Sequence, residues 1–290
     1  MNLNALKLPE LTFAAPCQQK IPCAAEPDTV VLDARGQIWS QHYLTSPAPM
    51  LRFPGLADFN LVDGGTAAQA VPAPDVDERT IQLLWLNHVV PLLLSRGGDL
   101  VLHGGAVRIA KGAVGFLGAS GAGKSTLTAY LARNGFPFLS DDMLWVCQRG
   151  DRIRVQPSEP MFRLWRDSED ALVSAPRDIR LADVSYTTKA QFSSGTEFPY
   201  CDEPLPLSAL LKIVDRGAEV PVVTRMRPSA GVVVLVENSF LLDRHIPSQK
   251  QAHFERAASL AKQVPIFEID YPRSYSFLHE VRNAVLVALG

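Results

Sequence analysis

Residues Gly118 to Thr126 read Gly-Ala-Ser-Gly-Ala-Gly-Lys-Ser-Thr, and this stretch constrains the fold more than any other part of the chain. It completes the pattern G-x-x-x-x-G-K-[ST], which has physical meaning only between a buried strand and the start of a helix. Both flanks fit. Upstream, Ala113 to Leu117 is a short apolar run suited to a buried parallel strand. Downstream, Leu127, Tyr130 and Leu131 recur at helical spacing until Asn134-Gly135 ends the helix. The glycines let the backbone curl so that successive N–H groups converge on phosphate oxygens at the positive end of the helix. The candidate nucleotide-binding residues are therefore Gly118, Ala119, Ser120, Gly121, Ala122, Gly123, Lys124, Ser125 and Thr126. In this pattern Lys124 reaches the β and γ phosphates and the Ser125 hydroxyl ligates magnesium.

The rest of the composition narrows the partners. With 290 residues, 47% hydrophobic, 20% charged and a formal net charge of −2, the chain has ample core and no strong electrostatic bias. Neither a nucleic-acid nor an anionic-membrane partner is implied. The longest uncharged apolar stretch, Ile81 to Ser95, is interrupted by Asn87, His88 and Pro91 and is too short to span a bilayer. The N-terminus lacks a basic-then-apolar signal pattern, so a cytoplasmic location is expected. Cys17, Cys23, Cys147 and Cys201 form no C-x-x-C pair and read as reduced, structural thiols.

Two regions differ in texture. From about Val30 to Ala73, short β-type runs (Val30 to Leu32, Ile38 to Leu44, Phe59 to Val62) are broken by Pro, Gly and Asp-Gly, which predicts a small β-rich module over residues 1–74. Residues 75–290 are expected to form the second domain, of α/β type. It opens with a helix after Asp75-Val76-Asp77-Glu78, which Pro91 should kink or end early before Gly97-Gly98. Strand candidates follow at Leu100 to His103, Ala106 to Ile109 and Ala113 to Leu117. A capping box, Ser248 with Gln251, opens a helix to about Gln263; Pro265 to Ile269 is a strand, and a last helix carries Phe277, Val281 and Val285. Residues 167–204 are polar and broken by prolines, as in substrate-binding loops or surface excursions.

A second acidic element has to define the chemistry. Asp141-Asp142 follows the apolar Phe136 to Leu139 and precedes Met143 to Val146, which places two carboxylates at a turn about one helix beyond Lys124. Phosphoryl transfer needs a carboxylate to help hold the metal and, for a hydroxyl acceptor, a base to take its proton. The run Val232 to Glu237 looks superficially like a metal-binding strand but lacks the aspartate. It reads as a buried element, strand or helix, with Glu237 capping its end. No Leu-Ser-Gly-Gly-Gln transporter signature and no Asn-Lys-x-Asp guanine-reading motif occurs. His103, in Leu102-His103-Gly104-Gly105, is followed by two glycines that permit a turn towards the nucleotide. Arg163, Lys189, Arg225 and Arg227 are further candidates for phosphate contacts.

The order Leu102-His103-Gly104-Gly105-Ala106-Val107, then Gly118 to Leu127, then Gly135 and Leu139-Ser140-Asp141-Asp142, resembles the catalytic core of the HPr kinase/phosphorylase family. The match is closest to its shorter relatives in peptide-modification systems, including lasso-peptide tailoring kinases. It is specific from about His103 to Val146 and diffuse elsewhere. The resemblance implies an α/β phosphate-loop core related to phosphoenolpyruvate carboxykinase, joined here to the β-rich N-terminal module. It also implies ATP and Mg²⁺ as cofactors, and transfer of the γ-phosphate to a serine of a peptide or small protein. Carried over, it makes the loop and Lys124 the phosphate site and Ser125 and Asp142 the metal ligands. Asp141 becomes the base, and His103 supports both aspartates. The family's second signature, rich in glycine and arginine, is missing; the corresponding stretch holds Arg177, Arg180, Lys189 and Gly195 without that pattern, so neither the HPr target nor the reverse phosphorylase activity is implied. Two alternatives stay open: a nucleotide-sensing regulator without an acceptor, and a small-molecule kinase. A homo-oligomer is compatible with the sequence.

Overall fold

The computed structural model describes residues 8–20, 26–33, 35–150, 152–174 and 179–290. Cys23 and Arg177, named above, lie outside them. The fold is mixed α/β with several sheets, and it divides into two compact units.

The first unit comprises residues 1–98, 184–186 and 241–251. Its six-stranded sheet runs in the order Glu10–Phe13, Ala67–Pro72, Ala57–Val62, Met50–Phe53, Ile38–Tyr43, Thr29–Leu32. Alternation turns Leu51, Phe53, Phe59 and Ala70 inward, each at most 1% exposed. The helix that follows starts at Glu78, where the Asp77 side chain accepts the Thr80 N–H at 2.8 Å. It does not break at Pro91. One wide turn, Trp85–Val89, loosens the spiral, and Val90–Arg96 continues with Pro91 in its first turn, where a missing N–H costs least. By its contacts this helical stretch groups with the first unit, whereas the sequence reading began the second domain at residue 75.

Within this unit His42 is 4% exposed, with its Nε2 3.2 Å from the Ser40 hydroxyl and its Nδ1 without a partner. Burial, aided by the Arg244 cation and opposed by Asp28, pushes its pKa down to about 4. The folded protein thus takes up this proton less readily than the unfolded chain. The stability tied to His42 is full above about pH 6.5 and is lost as the pH falls towards 4, by about 3 kcal/mol over that window. Urea unfolding at neutral pH and at pH 4.5 should therefore show a smaller acid loss in His42→Gln than in the parent. Equal losses would remove His42 as the cause.

The second unit comprises residues 99–183, 187–240 and 252–290. Its central strand, Gly112–Leu117, pairs in parallel with the long strand Leu205–Val214, which in turn pairs in parallel with Ile266–Asp270. Gly104–Ile109 and Phe138–Ser140 extend the sheet antiparallel on one side and Val222–Arg225 on the other. The first residues of the long strand also join Arg152–Gln156, Leu144–Arg149 and Leu100–Leu102. Both faces are covered, which is why the central strand is continuously apolar. Val114, Phe116, Leu211 and Ile213 share one core with Leu127 and Leu131 of helix Lys124–Arg133 and with Val281 and Val285 of helix Leu278–Leu289. Ala113, Leu117 and Leu210 share the other with Val234 and Leu235 and with Ala257 and Leu260 of helix Pro247–Gln263.

The run Val232 to Glu237 belongs to a helix, Pro228–Glu237, started by Pro228 at a position that favours helix initiation. Glu237 does not cap it; its carboxylate lies 3.3 Å from the Lys212 ammonium, and Val233 is half exposed. Among its described residues the polar stretch 167–204 also holds ordered structure. The strand Ala190–Ser193 pairs with Met161–Leu164, and Phe192 and Phe198 are wholly buried. No helix among the described residues is long and apolar enough to cross a membrane.

Candidate active site

The glycine loop joins the end of strand Gly112–Leu117 to helix Lys124–Arg133. Gly123 begins the helix at φ 93°, and a Cβ there would lie 3.2 Å from the Tyr271 hydroxyl. A side chain at Gly118, with φ 147°, would come within 2.9 Å of the Ile213 carbonyl oxygen. Both positions need glycine. The Lys124 ammonium folds back over the loop and donates to the carbonyls of Gly118 and Ala119 at 2.8 and 3.0 Å. Burial lowers its pKa, with Asp142 and Asp141 acting against the shift.

Three groups brace the loop from outside. Arg273, just past strand Ile266–Asp270, donates to the carbonyls of Ala122 and Val214 at 2.7 Å each and stacks over the Tyr271 ring. The Asn238 side-chain oxygen accepts the Gly118 N–H at 3.1 Å, while its carbonyl accepts the His103 N–H at 2.6 Å. Thr126 and Ser168 share a hydroxyl contact of 2.9 Å, and Ser168 lies 3.1 Å from the Tyr275 hydroxyl.

Asp141 and Asp142 form the turn after strand Phe138–Ser140; both are buried, at 8% and 7% exposed. Asp142 adopts a left-handed conformation, φ 68°, which aspartate tolerates better than most residues at a cost in backbone strain. One residue engages both carboxylates. The Arg163 backbone N–H donates to Asp141 Oδ2 at 2.9 Å, and its guanidinium donates to Asp142 Oδ2 through Nε at 2.9 Å and through a second, closer nitrogen. Asp141 Oδ1 is buried and has no hydrogen-bond partner.

These surroundings drive the two carboxyls apart. Burial and the neighbouring charge of Asp142 raise Asp141 to about 6, against the pull of Lys189, the Arg163 N–H and the Ser125 hydroxyl. Burial also works against the charge on Asp142, but Arg163, Lys189 and His103 outweigh it and hold that carboxyl far below the usual range. His103 is brought down to about 4, chiefly by burial and against the attraction of Asp142, and is neutral at pH 7. Its ring sits edge-on to Phe240.

A cavity of about 200 Å³ gathers most of these groups within the second unit, while Gly118, Ala119 and Asp141 are not among the residues that line it. His103, Ser120 to Thr126, Asp142, Arg163 and Lys189 line it. The structure thus brings the glycine loop, Lys124, His103 and the aspartates into one neighbourhood. Arg225 and Arg227 do not line this cavity. Residues that sequence reasoning missed include Trp165, Ser168, Tyr271, Arg273 and Tyr275. The last three follow the carboxyl end of a parallel strand, the place where open α/β sheets bind ligands, and that rule would have found them.

The donor set suits a hard cation. It offers the Ser125 hydroxyl, a buried carboxylate oxygen without a partner on Asp141, and the Asp142 carboxylate. No group of three or more His, Cys, Asp or Glu side chains among the described residues forms a self-sufficient metal cage. Magnesium usually needs only one or two carboxylates when phosphates complete its shell.

No family model matches the chain, and no curated protein matches it. A solved structure of the Hpr(Ser) kinase/phosphatase from Coxiella burnetii is similar at 13% identity, over 66% of this chain and 99% of that one, with a TM-score of 0.34. A likeness that loose carries no functional argument.

Proposed function

We propose that the chain is an ATP- and magnesium-dependent kinase that transfers the γ-phosphate to a serine hydroxyl of a peptide or small protein. The observation that carries this reading is the meeting, in one cavity, of a glycine loop with its lysine and Asp142, one member of a buried aspartate pair whose two carboxyls differ sharply in acidity. A site that only senses a nucleotide has no use for a base. Here burial and the neighbouring Asp142 charge raise the Asp141 carboxyl above its usual range, in the direction a general base requires, and its Oδ1 has no hydrogen-bond partner.

In this reading the loop N–H groups and Lys124 hold the phosphates. Ser125 and Asp142 would hold magnesium, which when bound neutralises charge on the β and γ oxygens. Asp141 accepts the acceptor's proton as the oxygen attacks phosphorus, and neutral His103 lines the cavity with Asp142 without adding charge. Because adjacent carboxylates titrate as a unit, the pair rather than either residue alone sets the pH profile.

The test is incubation with γ-labelled ATP, magnesium and synthetic peptides encoded by neighbouring genes. Label on a peptide serine is the expected result. ATP binding with no transfer to any acceptor would replace the proposal with a nucleotide sensor; label on free sugars or amino acids would replace it with a small-molecule kinase.

A further inference from the structure

The cavity holds four cations, and three of them are already engaged. Lys124 donates to two loop carbonyls, Arg163 is committed to Asp142, and Arg273 to the carbonyls of Ala122 and Val214. Lys189 differs. It stands just before strand Ala190–Ser193, whose pairing with Met161–Leu164 brings it beside Arg163 and Trp165. Its ammonium sits 5.5 Å from the centre of the Trp165 ring, and among the described residues no carboxylate or hydrogen-bond acceptor engages it. It is nevertheless close enough to act electrostatically on Asp141, Asp142, His103 and Lys124.

A ring face can position an ammonium while leaving its three donors unused. A lysine kept unpaired among buried site charges has its partner elsewhere, and at this position the partner is an anion entering the cavity. We infer that Lys189 is a further catalytic residue, a second cation that binds the phosphoryl group during its transfer, with Trp165 holding it in readiness.

The inference rests on the kinase reading. In the step, the acceptor oxygen forms a bond to the γ phosphorus, the bond from that phosphorus to the β–γ bridging oxygen breaks, and ADP leaves with the electron pair. The hydroxyl proton passes to Asp141. Lys189 stays protonated throughout and donates to an oxygen of the moving group, whose charge it offsets. A donor of this kind acts on the transition state more than on bound ADP, which lacks that group.

The test compares binding of magnesium–ADP with binding of magnesium–ADP plus aluminium fluoride, a mimic of the transferring phosphoryl group, by calorimetry. Lys189→Gln should bind ADP within about twofold of the parent and lose about 10²-fold in affinity for the aluminium fluoride complex; Lys189→Arg should regain most of it. Trp165→Phe, which keeps a ring face, should fall between. If Lys189→Gln binds both as the parent does, the inference fails while the kinase reading stands. If the parent binds neither, nucleotide binding itself fails and the inference with it. Equal weakening of both affinities in Lys189→Gln, with a lowered melting temperature, would make Lys189 a structural residue and overturn its catalytic role.

Discussion

Alanine in place of Lys124 is expected to lower phosphoryl transfer by about 10³-fold or more, the scale set by loss of a cation that clamps the moving phosphoryl group. The structure makes this variant informative because the ammonium is buried and fixed by two carbonyls of the loop that it serves. Part of the loss comes from the loop itself, since Gly118 and Ala119 each forfeit a charged donor worth about 1.5–3 kcal/mol. Lys124→Met removes the charge and both donated hydrogen bonds while keeping most of the side chain's bulk, so the difference between the Met and Ala variants reports the packing of the stem. Asp141→Asn is the companion, for it preserves shape while removing the base, and should lower transfer by about 10²–10⁴-fold with nucleotide affinity nearly unchanged. Near-parental transfer in Lys124→Met or Asp141→Asn would sink the kinase assignment.

The second large effect concerns folding. Arg163→Met strips Asp142 of its guanidinium, the largest of the charges that offset its burial, and of both side-chain hydrogen bonds, which should cost about 3–5 kcal/mol in urea unfolding. Asp141 should feel less of this directly, because its contact is with the backbone N–H of residue 163, which the substitution preserves. Adding Asp142→Asn removes the stranded charge and should restore most of the stability but not the activity. If single and double variants unfold at the same urea concentration, Arg163 does not offset that buried charge.

The core of the site was legible because its parts are local. A strand, a glycine loop and a helix occur within a single run, and the adjacent aspartates announce themselves between apolar segments. The surrounding cations were harder to read. Arg163 and Lys189 meet through the pairing of Met161–Leu164 with Ala190–Ser193, and the intervening chain shows no periodicity that would reveal that pairing. Phe192 and Phe198 anchor the region from within a sequence that is otherwise polar, so composition alone suggested a loose loop. In the first unit the alternating strands were visible, but Met50–Phe53 is short and Ala67–Pro72 is rich in alanine, and neither gave a clear signal. The valine run after Pro228 was ambiguous because β-branched residues favour strands, and burial against the sheet overrode that preference.

Asn238 stands 120 residues from Gly118 in sequence, yet a single residue fastens both the start of the glycine loop and the backbone of His103 to the end of helix Pro228–Glu237. Those two bonds make the helix end a common hinge pin. The start of the glycine loop and the backbone of His103 therefore take their positions from one residue at the end of a helix remote from both in sequence.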